Sequence, residues 1–154
     1  MAVIRLVRVA GESMAPTYRS PDLLLTRPVG RAGVRVRRGD VVVFRRGELR
    51  MIKRAVGLPG DIVELEAGRL FVNGEPVDGR PRVRGAFIQT WRVPGSSCFM
   101  AGDNAAASDD SRVWDEPLVA FHSLGAMVTR RLWGGRRTGR LSPRRRAAAA
   151  AQVA

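Results

Sequence analysis

The stretch Asp40 Val41 Val42 Val43 Phe44, followed by Arg45 Arg46 Gly47 Glu48 and then Leu49 Arg50 Met51 Ile52 Lys53 Arg54 Ala55 Val56, reads as a β-hairpin. A β-branched run is followed by a polar connection and a second apolar run of strand length. Working outward, Arg38 Gly39 marks a turn before it, and Val3 to Val9 and Leu23 to Thr26 are short apolar runs of strand type. Downstream, Leu58 Pro59 Gly60 Asp61 punctuates the chain and Ile62 Val63 Glu64 Leu65 Glu66 alternates with period two. Leu70 Phe71 Val72, Asn73 Gly74, Glu75 Pro76 Val77 predicts a second hairpin, because Asn-Gly is the dipeptide that tolerates the positive φ angles of a tight turn. Residues 78 to 86 are expected to be an exposed loop. Phe99 Met100 Ala101 leads into a long turn, Gly102 to Arg112, and Leu124 to Leu132 is expected as a last strand.

Strand signals therefore dominate, and the expected fold is mainly β: one domain of antiparallel sheets and hairpins over residues 1–133. From Gly134 the sequence turns arginine-rich and then alanine-rich, which predicts a flexible basic tail over residues 134–154. With 154 residues, 45% of them hydrophobic, the chain is long enough for one substantial core. The net charge of +13 is uneven, since eight arginines lie from Arg130 onward and no acidic residue follows Glu116. Cys98 stands alone, which excludes an intrachain disulfide, and with His122 the single histidine no Cys/His zinc site is expected. The N-terminal apolar run is interrupted by Arg5 and Arg8 and falls far short of the roughly 20 apolar residues of a membrane span. It also lacks the apolar core and cleavage site of a secretory signal. The expectation is a soluble or peripheral protein.

Of 27 basic residues, one is a lysine, Lys53. Arginine does not lose its proton in a protein, whereas a buried lysine does, so lysine at one place suggests a site that needs a neutral amine. Ser13 stands upstream in Gly11 Glu12 Ser13 Met14 Ala15 Pro16 Thr17. A serine hydroxyl becomes a good nucleophile when a base within hydrogen-bond reach takes its proton, and Ser-Lys is one such arrangement. At a reference pKa of about 10.4, only about one lysine in 2,500 is neutral at pH 7. A value of about 8 raises the neutral fraction to roughly a tenth, a differential of about 3.3 kcal/mol. Desolvation by Met51, Ile52, Ala55 and Val56 is the expected cause. The backbone amide of Ser13 is the candidate oxyanion donor. Taken singly, each residue also has a plain reading: Ser13 as a turn residue and Lys53 as a solvated strand residue.

A third block, Gly102 Asp103 Asn104 Ala105 Ala106 Ala107 Ser108 Asp109 Asp110 Ser111 Arg112, is dense in turn formers and hydroxyls. In this order GESMAPT, MIKRAVGLPGD and GDNAAASDDSR resemble the type I signal peptidase family of serine and lysine proteases. The resemblance runs from about Val9 to about Trp133 and includes the LFVNGEPV hairpin. It implies Ser13 as nucleophile, Lys53 as general base, Ser108 as the residue that orients the lysine, and Asp110 with Arg112 as a supporting ion pair. It further implies a precursor protein bound as an extended peptide beside the strand before Ser13 and the strand carrying Lys53. Small side chains at the −1 and −3 positions of the cut, an Ala-x-Ala pattern, would face Val9, Met14, Met51 and Ile52. No metal or cofactor is implied. The expected location is bacterial and membrane-associated, held peripherally, with a cytoplasmic one as alternative.

The chain departs from the family pattern in three places. The family has N-terminal membrane spans, while twelve residues precede Ser13 here. Gly11 stands where some members place a second serine, and Asp115 stands where a glycine is common, so the local turn is expected to differ. Other readings compete. A Ser/His/Asp triad would need His122, which lies outside any nucleophile motif and reads as structural or surface. A non-enzymatic nucleic-acid binder would account for the charge, but the basic residues cluster in a low-complexity segment and no nucleic-acid fold motif is present, so a nucleic-acid partner is not expected. The same arginines suit contact with anionic lipid, at about 1 kcal/mol per basic residue near the surface. Five alanines before Gln152 Val153 Ala154 also resemble a small-residue cleavage site, which raises self-processing. Within the family, a soluble maturation protease for one precursor, of the nickel superoxide dismutase type, is the alternative. The long insert from Gly57 to Cys98 leans toward the signal peptidase side.

Overall fold

The computed structural model describes residues 4–29, 36–81, 88–134 and 152–153. Twelve strands follow in chain order: β1 (Arg5–Ala10), β2 (Leu23–Pro28), β3 (Val41–Arg46), β4 (Leu49–Gly57), β5 (Ile62–Glu66), β6 (Arg69–Val72), β7 (Glu75–Pro76), β8 (Ile88–Arg92), β9 (Ser97–Ala101), β10 (Leu118–Ala120), β11 (Leu124–Trp133) and β12 (Gln152–Val153). The fold is mainly β and antiparallel, as the alternation predicts.

Eight strands form one sheet in the order β10-β9-β4-β12-β1-β2-β11-β3, and β3 also pairs with β4. That extra pairing closes β4, β12, β1, β2, β11 and β3 into a ring. Inside the ring Val7, Val9, Met14, Leu24, Val41, Val43, Ile52 and Ala126 form one core cluster. Strand alternation explains the choice: Val41 and Val43 turn inward, while Val42 and Phe44 turn outward. The outward residues join Met51, Ala55, Cys98, Met100, Val119 and Leu124 in a second cluster. The arginines of β1 face solvent, Arg5 ahead of buried Val7 and Arg8 between Val7 and Val9, which is why that strand reads as interrupted in sequence.

The hairpin β3–β4 pairs Val41 with Arg54 through Arg46 with Leu49, so Arg45 and Arg46 belong to the strand and the connection shrinks to Gly47–Glu48. Four strands make a second sheet, β7-β6-β5-β8. Its hairpin turns at Asn73 and Gly74, whose φ angles of 52° and 83° are both positive, the geometry that dipeptide tolerates. This sheet packs Val63, Leu70 and Val72 against Val56, Val93, Phe99 and Ala101.

Three elements lie outside the sequence reading. β8 and β10 are short or half-exposed segments fixed by their partners, β5 and β9. β12 falls in the segment read as a flexible tail, yet Gln152 pairs with Ala10 and Met51, and Val153 with Val9. The remainder of that tail, 135–151 and 154, and the loop residues 82–86 lie outside the described residues. Among the described residues no helix is long and apolar enough to cross a membrane.

Candidate active site

Ser13 sits in the tight loop between β1 and β2, where the amide of Ala15 donates to the carbonyl of Glu12 at 3.0 Å and that of Tyr18 to Met14 at 2.9 Å. Gly11 enters this loop at φ 80°, a left-handed conformation that would strain a serine at the same position. That accounts physically for the departure at residue 11. The loop is held from across the molecule. The Asn104 amide donates to the Ser13 carbonyl at 2.9 Å and its side chain to the Glu12 carbonyl at 3.2 Å, while the Thr17 hydroxyl donates to Asp103 at 2.5 Å.

Lys53 lies mid-strand in β4, opposite Val42, and is fully buried, as is Ser13. Its Nζ donates to Ser13 Oγ at 2.7 Å. Burial pushes the Lys53 ammonium down to about 8, against the pull of the Asp110 and Asp109 carboxylates, with Arg112 adding to the depression. The apolar seat differs in detail from the expected one. Residues alternate along a strand, so Lys53 shares its face with Met51 and Ala55, and Ile52 projects into the ring on the other side. Val9, Met14 and Ile52 meet in one cluster, but Met51 faces the other. Met51 stands beside the slot next to β1 as the β4 residue paired with Gln152.

The loop after β9 supplies a polar frame. Asp110 is fully buried and accepts from the Gly102 amide at 2.8 Å, from Arg112 Nε at 2.8 Å and Nη2 at 2.5 Å, and from the Ser108 hydroxyl. Burial pushes the Asp110 carboxyl up, but the Arg112 hydrogen bond and charge and the Gly102 and Ser108 donors outweigh it, and the net shift is downward. Arg112 also donates to the Gly102 carbonyl at 3.1 Å. Ser108, expected to orient the lysine, is thus itself fixed by Asp110. The Val113 amide donates to the Asp110 carbonyl at 2.9 Å, and Trp114 Nε1 donates to Asp109 at 2.7 Å, so the chain leaves the loop in a turn ahead of Asp115.

Two features escaped the sequence. A side chain on Gly102 would run into Ser108 and lie 2.5 Å from the Ser13 carbonyl, so glycine is needed for close approach of the two loops. Arg54, next to Lys53, grips Asp103 through two bonds of 2.8 and 2.6 Å and donates to the Gly39 carbonyl at 2.6 Å. The same Asp103 takes the Thr17 hydroxyl, so one carboxylate links the strand of Lys53 to the loop of Ser13. Asp103 lies 49 residues from Arg54, and nothing local in sequence marks that pairing. His122 is exposed in a one-turn 3-10 helix, Phe121–Ser123. Among the described residues no cluster of three His, Cys, Asp or Glu side chains is arranged to hold a metal ion.

A buried hydroxyl in contact with a lysine that releases its proton near neutral pH can act as a nucleophile with its own base. Residues 1–133 match the family described as signal peptidase, peptidase S26. A signal peptidase I of Leptolyngbya laminosa is 31% identical, over 88% of this chain and 71% of that protein. One of Pseudomonas fluorescens is 30% identical over 82% of this chain and 61% of its own length, and one of Bacillus caldolyticus is 33% identical over 81% and 77%. The chain therefore spans between about three fifths and three quarters of these relatives.

Proposed function

The chain belongs to the signal peptidase, peptidase S26 family, and from that premise we propose that it is a serine endopeptidase removing a signal or leader peptide from precursor proteins after small residues. The observation that carries the reading is the 2.7 Å contact between two fully buried groups, Ser13 Oγ and Lys53 Nζ.

In the proposed reaction neutral Lys53 takes the hydroxyl proton as Ser13 Oγ bonds to the scissile carbonyl carbon, and the carbonyl oxygen becomes an oxyanion. The Ser13 amide faces that charge. Collapse breaks the C–N bond, and the Lys53 ammonium returns its proton to the leaving amine. Water, deprotonated by the same lysine, then releases the acyl group from Ser13. Asp110, Arg112 and Ser108 hold the loop that backs the pair, and the Arg54–Asp103 grip fixes its separation. The precursor lies extended between β1 and β4, with small −1 and −3 side chains toward Val9, Met14 and Ile52 and with Met51 on the flanking strand. The insert between Lys53 and the Gly102 loop forms its own sheet, which favours the general signal peptidase over a short maturation protease for one precursor. Basic residues from Arg130 onward suit peripheral contact with anionic lipid, which flotation with anionic vesicles measures.

Cleavage of an Ala-x-Ala peptide by Ser13→Ala and Lys53→Arg variants tests the mechanism. Both should be inactive, because arginine keeps the charge and never provides a free base. Retained turnover in Lys53→Arg would overturn the role of Lys53.

A further inference from the structure

The ring of strands is closed by residues from far along the chain. Among the described residues β12 is the only strand between β1 and β4, and it runs antiparallel to both. β1 and β4 therefore run parallel to each other across a gap one strand wide, about 9.6 Å at the usual spacing. Along β4 the partner changes: from Arg54 to Gly57 it is β9, and at Met51 it is β12. Without Gln152 and Val153, two facing edges would each present unpaired backbone groups beside Ser13 and Lys53, a template for an added strand.

We propose that Gln152–Val153 is a resident strand occupying the peptide-binding slot, which a precursor must displace before it is cut. The inference rests on the reading of Ser13 and Lys53 as the peptidase centre. Direction separates the resident from a substrate. β1 runs toward Ser13, so a peptide bringing its −3 and then its −1 residue up to the serine must run parallel to β1. The resident runs the other way: Gln152 lies opposite Ala10 and Val153 opposite Val9, so the chain moves away from Ser13 as its numbering rises. Held so, it fills the slot without presenting its own residues in the order a cut requires. A tethered segment competes at an effective concentration of about 1 mM, so even a strand of about 0.1 mM affinity raises the apparent KM about tenfold.

The test compares the full chain with a chain ending at residue 146 and with a full-length Val153→Pro variant, whose proline cannot donate to a ladder. Steady-state cleavage of an Ala-x-Ala peptide should show KM about tenfold lower in both altered chains with kcat unchanged, and a synthetic peptide of sequence AAAAAQVA should restore the higher KM of the shortened chain. Hydrogen exchange at the amide of Ala10, which alternation turns toward β12 because the Val9 amide is taken by the Asp22 carbonyl, reads occupancy without reference to activity, and should quicken in both altered chains. Unchanged exchange in both overturns the resident strand. Faster exchange with unchanged KM overturns competition. Faster exchange in chains that never cleave peptide upholds the resident strand and overturns the peptidase reading instead.

Discussion

The two sheets are built from the same strand chemistry, and each buries a charged side chain, Lys53 in one and Glu66 in the other, but they differ in where their ion pairs lie. In the large sheet and its loops Ser13, Lys53, Asp110 and Ser111 are all buried. In the small sheet β5–β8 the prominent ion pair, Arg69 with Asp78, lies at the surface, closed by bonds of 3.0 and 2.8 Å. Geometry alone would rank that pair beside Asp110–Arg112. Burial separates them, because a charge stripped of water depends on its protein partners while an exposed one falls back on solvent.

The sharpest way to break the contrast is at the proposed base. Lys53→Arg should lower kcat by about 10³-fold or more, general-base removal plus loss of fit, with circular dichroism unchanged. Next comes Asp110→Ala, which leaves Arg112 facing a buried gap and strands the Gly102 amide. It should cost about 3–5 kcal/mol in urea unfolding, and a cost under 1 would erase the distinction between the sheets.

Titration separates the regions at opposite ends of the pH scale. Lys53 has its folded pKa depressed to about 8, so the unfolded chain binds the extra proton between about 8 and its ordinary value near 10.4. Unfolding free energy should therefore rise with pH across that window, by about 3 kcal/mol, and the rise should vanish in Lys53→Met. Cleavage should climb through the same lower limb. Asp78 follows the same sign at the acid end: the Arg69 hydrogen bonds hold its carboxyl well below the usual range, so stability again rises with pH, its contribution present above about pH 4 and lost as acid protonates it.

Smaller again is Gly102→Ala, where the added methyl pushes the Ser13 carbonyl and Ser108 apart. About a tenfold fall in kcat is expected from sub-ångström displacement of the nucleophile, with KM little changed. Smallest is Arg69→Ala, which should lower the urea midpoint only slightly, as solvent replaces the lost bonds to Asp78, and leave peptide cleavage where it is.

How much of this was legible in sequence follows from how local each signal is. Val41 to Phe44 and Ile62 to Glu66 announce strands because their own side chains carry the pattern. Ile88 to Arg92 is mostly exposed and mixed in polarity, and becomes a strand because β5 supplies its hydrogen bonds. Gln152–Val153 is more extreme, two residues after an alanine run whose partners lie more than 90 positions away. Ser13, Lys53, Asp110 and Arg112 stand out in sequence because their blocks stand in order. The Arg54–Asp103 grip was not, since one arginine among many carries no mark of the carboxylate it meets. The opposite facing of Met51 and Ile52 follows from the two-residue period of a strand, which sets neighbours on different faces.

The scarcity of lysine gives the fold an unusual chemical address. Reagents that acylate lysine amines have a single side-chain target here, and it is sealed from solvent. Modification must wait for the site to open, so the rate at which Lys53 gains an acyl label, read by mass spectrometry above pH 8, is a clock for that opening.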